Sequence, residues 1–429
     1  MYKKVLPLIS ILLIAVFVLA ACQPAATPTA APAEDTGTGE MAFPTDPITI
    51  TLWTKEGETD GALQYVQALT AAYTEQHSNV TFEVVNKEVE TLREDFQTSS
   101  LAGAAPDLLW TVSDHLGPFT AADLIQPVAD KFDLSQFVQS ATDAVTSPDG
   151  QVWGVPISNG NHVMLIYNKS LLPEPPKNTD ELISMGKDFM SSHPDEYALV
   201  YNQTEPFFMI AWLGGYGGKV FADDGVTPTL DTPEMVKALP FLHDIKYVDG
   251  LVPAESDYDG ADSLFKEGKA AMIINGDWSL GAYKEALGDN LGVAPIPMVS
   301  ETGKYPAPYT SGVFFMLPKD LSGDKLTVVK DFINFVTSKD QQIDMVKKLS
   351  RLPANKEALN DAVITDDPIL SGSALQMSYG TPMPTVVEMR CVWDSLKPEM
   401  QAVFADTESA QDAATKAQSA ATTCISQLE

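Results

Sequence analysis

The chain has 429 residues, of which 45% are hydrophobic and 20% charged, and 58 acidic residues against 27 basic ones give a formal charge of −31. This length suits two or three domains, and the composition is that of a folded protein rather than a disordered one. A surface this acidic repels phosphate backbones and anionic headgroups, which argues against nucleic acid as a partner and favours neutral or cationic ligands.

The first 22 residues predict export. Lys3 and Lys4 precede an apolar run over residues 5–18 that is too short to span a membrane, and small residues follow it. Residues 1–21 are therefore predicted to be a signal peptide. The ending LAAC resembles a bacterial lipobox, which implies cleavage before Cys22 and acylation of its thiol. The alternative is an ordinary secreted protein in which Cys22 has no special role.

Residues 22–46 are rich in Ala, Pro, Thr and Gly and contain few large apolar side chains. Such a segment cannot bury a core, so it is predicted to be a lipidated tether that holds the folded body off a membrane.

Two cysteines remain once Cys22 is acylated, namely Cys391 and Cys424. Because an exported protein meets an oxidising compartment, we predict that these two form a disulfide. The alternative is two separate thiols.

Strands and helices alternate in the first part of the body. Residues 48–53 and 80–85 are predicted strands, and the apolar residues between them have helical spacing, which indicates a β-α-β unit. A helix over residues 91–101 then leads to a short buried strand at residues 107–110. This pattern predicts a parallel sheet covered by helices.

The polar insert at residues 158–161 separates two apolar runs, 151–157 and 162–167, and is predicted to be a crossing between two lobes. The later predicted elements are helices over 181–190, 325–337 and 341–349, strands at 197–201, 292–297 and 311–317, a helix opened by residues 202–208, and a helical C-terminal part beyond Met383.

The segment KEGKAAMIINGDWSLG, residues 266–281, contains a helix end, a buried strand and a turn that bears Trp278. An aromatic side chain at the end of a buried strand lies where ligands usually bind in open α/β sheets. The alternative is that Trp278 only covers the surface of one lobe.

Motifs for catalysis, metals and cofactors are missing. The run GGYGGK lacks the Ser or Thr of a phosphate loop, the five histidines are scattered, and the acids between Asp257 and Asp262 lack the final Glu of a calcium loop. No cofactor, metal or catalytic residue is therefore expected. A pair of carboxylates would suffice for a glycosidase, so that reaction stays open.

Four segments resemble the maltose/maltodextrin-binding protein family. They are LIYNKSLLPEPPK (165–177), YNQTEPFF (201–208), SDYDGADSLFKEGKAAMIINGDW (256–278) and MPTVVEMRCVW (383–393). The resemblance extends over nearly everything from Ile48 to the C-terminus. It implies an α/β fold of the two-lobe periplasmic-binding-protein type (class II), with a ligand cleft between the lobes and hinge crossings. The implied N-lobe comprises residues 47–158 plus 316–350, and the C-lobe comprises 159–315 plus 351–429.

The resemblance also implies a set of ligand-binding residues. Those that match the family are two stacking platforms, Trp278 and Trp393, the hydroxyl acceptors Glu205 and Asp114, the ring Phe207 in place of a tyrosine, and the cleft residue Met383. At other positions this chain departs from the family. Thr111, with its neighbour Trp110, stands where the family has a tryptophan, and His115 and Lys397 stand where the family has arginines. Asn161 lies near the position of a family glutamate in the cleft, and Glu58 is the acid nearest to the position of an early Asp-Lys pair of the family. Alternatives are a helix-start acid for Glu205 and a surface hydrogen bond for Asp114.

The sequence thus predicts a monomeric, non-enzymatic lipoprotein anchored outside the cytoplasm, at the cell surface or in the periplasm. It would capture maltose, maltodextrin or a related neutral oligosaccharide and deliver it to the permease subunits of an ABC importer. One alternative is a glycoside hydrolase or lyase with a carboxylate pair in the cleft, and another is a surface adhesin that needs no hinge.

Overall fold

The computed structural model describes residues 42–147 and 149–428. The predicted signal peptide, Cys22 and the tether up to residue 41 lie outside these residues. Within the described ranges, none of the helices combines the length and the apolar character that crossing a membrane requires.

The described strands and helices have the following bounds. The strands are β1 (Ile48–Thr54), β2 (Val80–Asn86), β3 (Leu108–Val112), β4 (Ile125–Gln126), β5 (Gly154–Gly160), β6 (Val163–Asn168), β7 (Tyr197–Tyr201), β8 (Ala270–Gly276), β9 (Leu291–Ala294), β10 (Tyr309–Pro318) and β11 (Thr381–Pro382). The α-helices are α1 (Ala62–Gln76), α2 (Val89–Leu101), α3 (Leu116–Ala121), α4 (Gln139–Asp143), α5 (Thr179–Ser192), α6 (Pro206–Tyr216), α7 (Met235–Tyr247), α8 (Tyr258–Lys266), α9 (Leu280–Leu287), α10 (Gly323–Thr337), α11 (Lys339–Leu349), α12 (Lys356–Leu359), α13 (Ala362–Thr365), α14 (Pro368–Ser378), α15 (Glu388–Phe404) and α16 (Ala410–Ile425). Short 3-10 helices lie at Ser113–His115, Leu134–Gln136, Asp277–Ser279 and Gly288–Asn290.

The first lobe is built on a sheet with the order β11-β10-β3-β1-β2, in which β4 and β5 also pair with β10. Strand β1 is parallel to both β2 and β3, which confirms the predicted β-α-β unit. Strand β10 is antiparallel to β3 and β5, so the whole sheet is mixed and the predicted parallel arrangement holds for β1, β2 and β3 only. The reason is that β10 enters from the second lobe, whereas β1, β2 and β3 are linked by helical crossovers.

The second lobe is built on a four-stranded sheet with the order β7-β8-β6-β9. All seven residues of β8 are buried. Met272 and Ile274 pack in one core cluster of this lobe and Ile273 packs in another, so both faces of the sheet are covered. A strand covered on both faces needs a continuous apolar run, which is what residues 270–274 supply.

The chain first passes between the two sheets at Asn161 and His162. Ser158 to Gly160 belong to β5 and pair with β10, so the crossing is shorter than the predicted polar insert. Asn161 has a φ of 48°, in the left-handed region, which asparagine tolerates better than most residues. The backbone N–H of His162 then donates to Asp277 at the end of β8, 3.3 Å away.

Contacts outside the two sheets indicate which segments belong to the first lobe. Phe43 packs its ring 4.7 Å from His77, so the chain already contacts the first lobe within the predicted tether. The N–H of Asn159 donates to the carbonyl of Leu352 at 3.0 Å, which keeps the segment after α11 on the first lobe. We propose that the first lobe comprises residues 43–160 plus 309–359 together with the edge strand β11, because all of β10 and β11 belong to its sheet.

Helices α15 and α16 pack side by side on the second lobe, and the structure joins Cys391 of α15 to Cys424 of α16. Their Cα atoms lie 5.6 Å apart, and 33 positions separate them along the chain. Cys391 is fully buried. The bond therefore ties the last helix of the chain to the helix that carries Trp393.

Replacing both cysteines with serine should destabilise the folded body by about 3–4 kcal/mol, because the loop that the disulfide closes is then free in the unfolded chain. Urea unfolding of both proteins, with and without reductant, measures this. Reductant should lower the midpoint of the parent protein and leave that of the variant unchanged. Equal midpoints for all four samples would contradict a stabilising disulfide.

Candidate functional site

A cavity of about 760 Å³ lies between the two lobes. The first lobe contributes the loop after β1, the start of α2 and the end of β3, and the second lobe contributes the start of α6, the end of β8 and one face of α15. This volume is in the range of pockets that enclose most of a small ligand. The predicted site residues that line it are Glu58, Asp114, Asn161, Glu205, Phe207, Trp278, Trp393 and Lys397.

Trp278 forms part of the second-lobe wall of the cavity, where β8 ends in a 3-10 helix. Its indole N–H donates to the hydroxyl of Tyr258 at 3.0 Å. The ring packs against Gly276, where an added Cβ would lie only 2.1 Å from a ring carbon, so position 276 has no room for a side chain. Phe207 lies on the same wall, with its ring centre 6.1 Å from that of Trp278. Trp278 is thus held at the cavity and does not merely cover the lobe surface.

Helix α15 carries the second tryptophan. Met389, Val392 and Leu396 pack into the second-lobe core. Trp393 and Lys397, one helical turn apart, lie on the neighbouring face and line the cavity. The helix therefore presents an aromatic ring and a cation together.

Glu205 and Lys397 form an ion pair in the cavity, with 2.5 Å between Oε1 and Nζ. Glu205 is the N-cap residue of α6, where an acid is also favoured by the helix dipole, but its side chain makes no cap hydrogen bond and lines the cavity instead. Burial raises the pKa of the Glu205 carboxyl, and Lys397 opposes this increase. The pair offers both an acceptor and a donor to a ligand.

Asp114 lies just beyond β3 on the opposite, first-lobe wall. Burial, reinforced by the negative charge of Glu90, raises the pKa of the Asp114 carboxyl to about 7, although the nearby Trp393 side chain opposes the shift. Asp114 of the first lobe and Trp393 of the second both line the cavity. The carboxyl can accept or, when protonated, donate a hydrogen bond near neutral pH.

Ion pairs also cross from α2 of the first lobe to α15 of the second. Arg390 Nη1 lies 2.9 Å from Glu90 Oε2, and its Nε lies 2.8 Å from Asp394. Arg93 contacts the same Glu90 oxygen at 3.0 Å from within α2. Glu90, Arg390 and Asp394 line the cavity where the two lobes meet.

Each Lys or Arg of the described residues that lines the cavity lies close to an acid. The pairs are Lys55–Glu56 at 3.3 Å, Lys87–Asp95 at 2.6 Å, Arg390–Glu90 at 2.9 Å and Lys397–Glu205 at 2.5 Å. Further acids, including Glu58, Glu88 and Asp259, line the same space. The cavity is therefore unsuited to an anionic ligand. Within the same part of the chain, no group of three His, Cys, Asp or Glu side chains is arranged to hold a metal.

Residues 68–372 match the family described as bacterial extracellular solute-binding proteins, and this match spans more than half of the chain. The chain belongs to this family. Its members serve transport, and nothing in the comparisons supports the glycosidase alternative.

Three relatives show how far the similarity extends. A maltose/maltodextrin-binding domain from Bdellovibrio bacteriovorus, solved bound to maltotriose, is 34% identical with a TM-score of 0.83, over 88% of this chain and 100% of that chain. The maltotriose-binding protein of Pyrococcus abyssi is 28% identical over 354 residues, which cover 81% of this chain and 76% of the relative. A maltooligosaccharide ABC transporter solute-binding lipoprotein of Streptococcus pneumoniae is 26% identical over 381 residues, covering 85% and 86%. The predicted family resemblance and the two-lobe fold are confirmed.

Four predicted site residues of this solute-binding protein do not line the cavity. Trp110 is buried and donates its indole N–H to Glu56 at 2.9 Å. Thr111 and His115 are buried and hydrogen-bond each other at 2.7 Å, and burial lowers the pKa of His115 to about 3. Met383 is buried in the second-lobe core. All of β3 is buried, so the cavity receives only Val112 at its end and Asp114 beyond it.

Several cavity residues were missed by sequence reasoning. Arg390 and Tyr258 lie inside the segments that carry the family resemblance, but nothing distinguished them from their neighbours. Glu90 stands in the first turn of α2, where an acid is favoured structurally. A search for charged residues three or four positions from Trp393 on the same helix would have found Arg390.

Asp114→Asn should change the pH dependence of stability. Because the pKa of Asp114 is raised in the folded protein, the folded state binds more protons than the unfolded state between about pH 4 and pH 7. The parent protein therefore loses stability as the pH rises through this window, whereas asparagine does not titrate. Thermal unfolding at pH 5 and pH 8 should show that the stability of the variant relative to the parent is higher at pH 8 than at pH 5. A difference that is the same at both pH values would refute the raised pKa.

Proposed function

We propose that this protein captures a neutral, maltodextrin-like oligosaccharide outside the cytoplasm and delivers it to the permease subunits of an ABC importer. The observation that carries the proposal is the pair of tryptophans, Trp278 and Trp393, that line one cavity together with acids from both lobes. The relatives named for maltotriose and for maltooligosaccharide support this ligand class.

The chemistry of the walls suits a sugar. A pyranose ring has apolar C–H faces that pack on aromatic rings, and Trp278, Phe207 and Trp393 offer such surfaces. Its hydroxyl groups both donate and accept hydrogen bonds, which Asp114 and the Glu205–Lys397 pair can satisfy. Because the charges of Glu205 and Lys397 neutralise each other, the pair can hydrogen-bond to the hydroxyl groups of an uncharged ligand.

Capture would work by closure of the lobes. Asp114 belongs to the first lobe and Trp278 to the second, so a ligand that contacts both binds a closed arrangement better than an open one. Ligand binding then stabilises the closed form, which the permease would recognise. The protein itself would act as a monomer without catalysis or a cofactor.

Location follows from the first residues of the chain. The signal peptide and the lipobox at Cys22 support an extracytoplasmic lipoprotein held at a membrane. The S. pneumoniae relative, which is named as a lipoprotein, supports the same arrangement. The tether after Cys22 would give the body the reach to meet a permease in that membrane.

A thermal-shift panel tests the proposed ligand. Maltose and maltotriose at about 100 times their Kd should each stabilise the protein by about 2.7 kcal/mol, because a ligand that binds only the folded state stabilises it by mass action. Trehalose, sucrose, cyclodextrin and xylo-oligosaccharides define the selectivity. A maltose derivative carrying a carboxylate or phosphate should shift the melting temperature less than maltose does, since the cavity has no unpaired cation among the described residues. The proposal fails if no saccharide shifts it.

Two further measurements separate the alternatives. Release of reducing sugar from maltodextrin would indicate a glycosidase. Small-angle scattering should show compaction on addition of maltotriose, whereas an adhesin without a working hinge would show none.

Trp278→Ala and Trp393→Ala should each weaken maltotriose binding by about 1–3 kcal/mol, since each removes an aromatic surface from the cavity. Isothermal titration calorimetry measures the loss. Trp153→Ala is the matched control, because Trp153 is also half-buried but lies outside this cavity and bonds to Ser147. Affinities for both cavity variants equal to that of the control would assign the tryptophans a purely structural role.

A further inference from the structure

Arg351 occupies a buried position behind the cavity. It follows α11 and Ser350, whose φ of 53° turns the chain sharply at this point. Only 2% of its side chain is exposed. A buried guanidinium is costly unless partners compensate for the lost water, so each of its contacts matters.

On the first-lobe side, Arg351 is bound to Glu56, which comes directly after the strand end at Thr54 and Lys55. Nη1 of Arg351 lies 2.7 Å from Oε1 of Glu56, and the indole N–H of Trp110 donates to that same oxygen at 2.9 Å. Burial alone would raise the pKa of Glu56, but Arg351 and Lys55 lower it to about 2. Glu56 is therefore a charged, fixed anchor.

On the second-lobe side, Arg351 reaches the main chain of the stacking residue. Its Nη2 donates to the carbonyl oxygen of Trp278 at 3.4 Å. The same Nη2 lies 3.7 Å from Asp60 of the loop after β1, which itself lines the cavity. The Arg351 side chain thus connects the segment after α11 to the loop after β1 and to the main chain of Trp278.

We propose that Arg351 is a positioning residue for sugar binding, which holds the backbone of Trp278 in register with the first lobe so that the indole forms a ready surface for the ligand. Arg351 does not line the cavity, so it acts through Trp278 and not by contact with the sugar. The inference rests on the proposed sugar-binding function. Arg351 contacts the main chain of Trp278, whereas Trp393 is carried by α15, which the disulfide links to α16.

Arginine is needed here because its guanidinium has donors that point in different directions from a planar group. Nη1 can bind Glu56 while Nη2 binds the carbonyl of Trp278. A lysine would keep the charge that Glu56 requires, but its single ammonium cannot reproduce this fixed pair of directions. Arg351→Lys therefore separates the buried charge from the positioning.

A double-mutant cycle tests the proposal through maltotriose affinity, measured by isothermal titration calorimetry. Arg351→Lys should weaken binding about tenfold in the parent protein, since a positioning contact is lost. In the Trp278→Ala background the same change should alter affinity by no more than about twofold, because the backbone carbonyl of residue 278 remains but the indole that it positions is gone. The Trp393→Ala background is the matched control, and there the tenfold loss should persist.

Glu56→Gln provides a second variant, in case Arg351→Lys does not fold. It keeps the shape of the anchor, removes its charge and should show the same dependence on the background. The proposal is overturned if Arg351→Lys leaves affinity unchanged in the parent protein, or if the loss is equal in the Trp278→Ala and Trp393→Ala backgrounds. If the parent protein binds no maltotriose, the proposed function fails and the inference fails with it. A parent that binds while Arg351→Lys binds equally well refutes the inference alone.

Discussion

The ion pair between Glu56 and Arg351 is the interaction on which the back of the cleft depends. Both side chains are almost fully buried, and Trp110 completes the hydrogen bonding of the Glu56 oxygen that Arg351 binds. Two buried charges are tolerated only when they are paired in this way, and removal of one would leave the other unsatisfied. Arg351 of this pair also donates to the main-chain carbonyl of Trp278, so the buried ion pair is in direct contact with the residue that lines the cavity.

The cavity combines aromatic surfaces with charges that cancel one another. Trp278, Phe207 and Trp393 supply area for an apolar ring face, while Glu205 and Lys397 neutralise each other at 2.5 Å. Such a surface suits a ligand that is polar, uncharged and flat on one side. The strongly acidic chain as a whole and the paired cations of the cavity exclude anionic ligands for the same electrostatic reason.

Sequence patterns predicted individual elements well and side-chain directions less well. The apolar run in β8 and the glycine-containing turn after it located Trp278 correctly, because both are local signals. In β3 the predictions selected Trp110 and Thr111, which are buried, whereas the cavity receives Val112 at the end of the strand and the correctly predicted Asp114 beyond it. All five residues of β3 are buried, so only the carboxyl end of the strand and the residues after it reach the cavity. His115 and Met383 were also predicted to line the cavity, but both are buried elsewhere because distant segments pack over them.

The sequence by itself predicted the export signals and determined the negative charge, the order of most strands and helices, and the family, because each depends on composition or on short-range patterns. Only the tertiary structure decided which charges meet. Glu56 and Arg351 are 295 positions apart, and Glu90 and Arg390 are 300 apart. In a chain with 58 acids and 27 bases, no local pattern selects these partners. They are brought together because strands and helices from distant parts of the chain converge at the cleft.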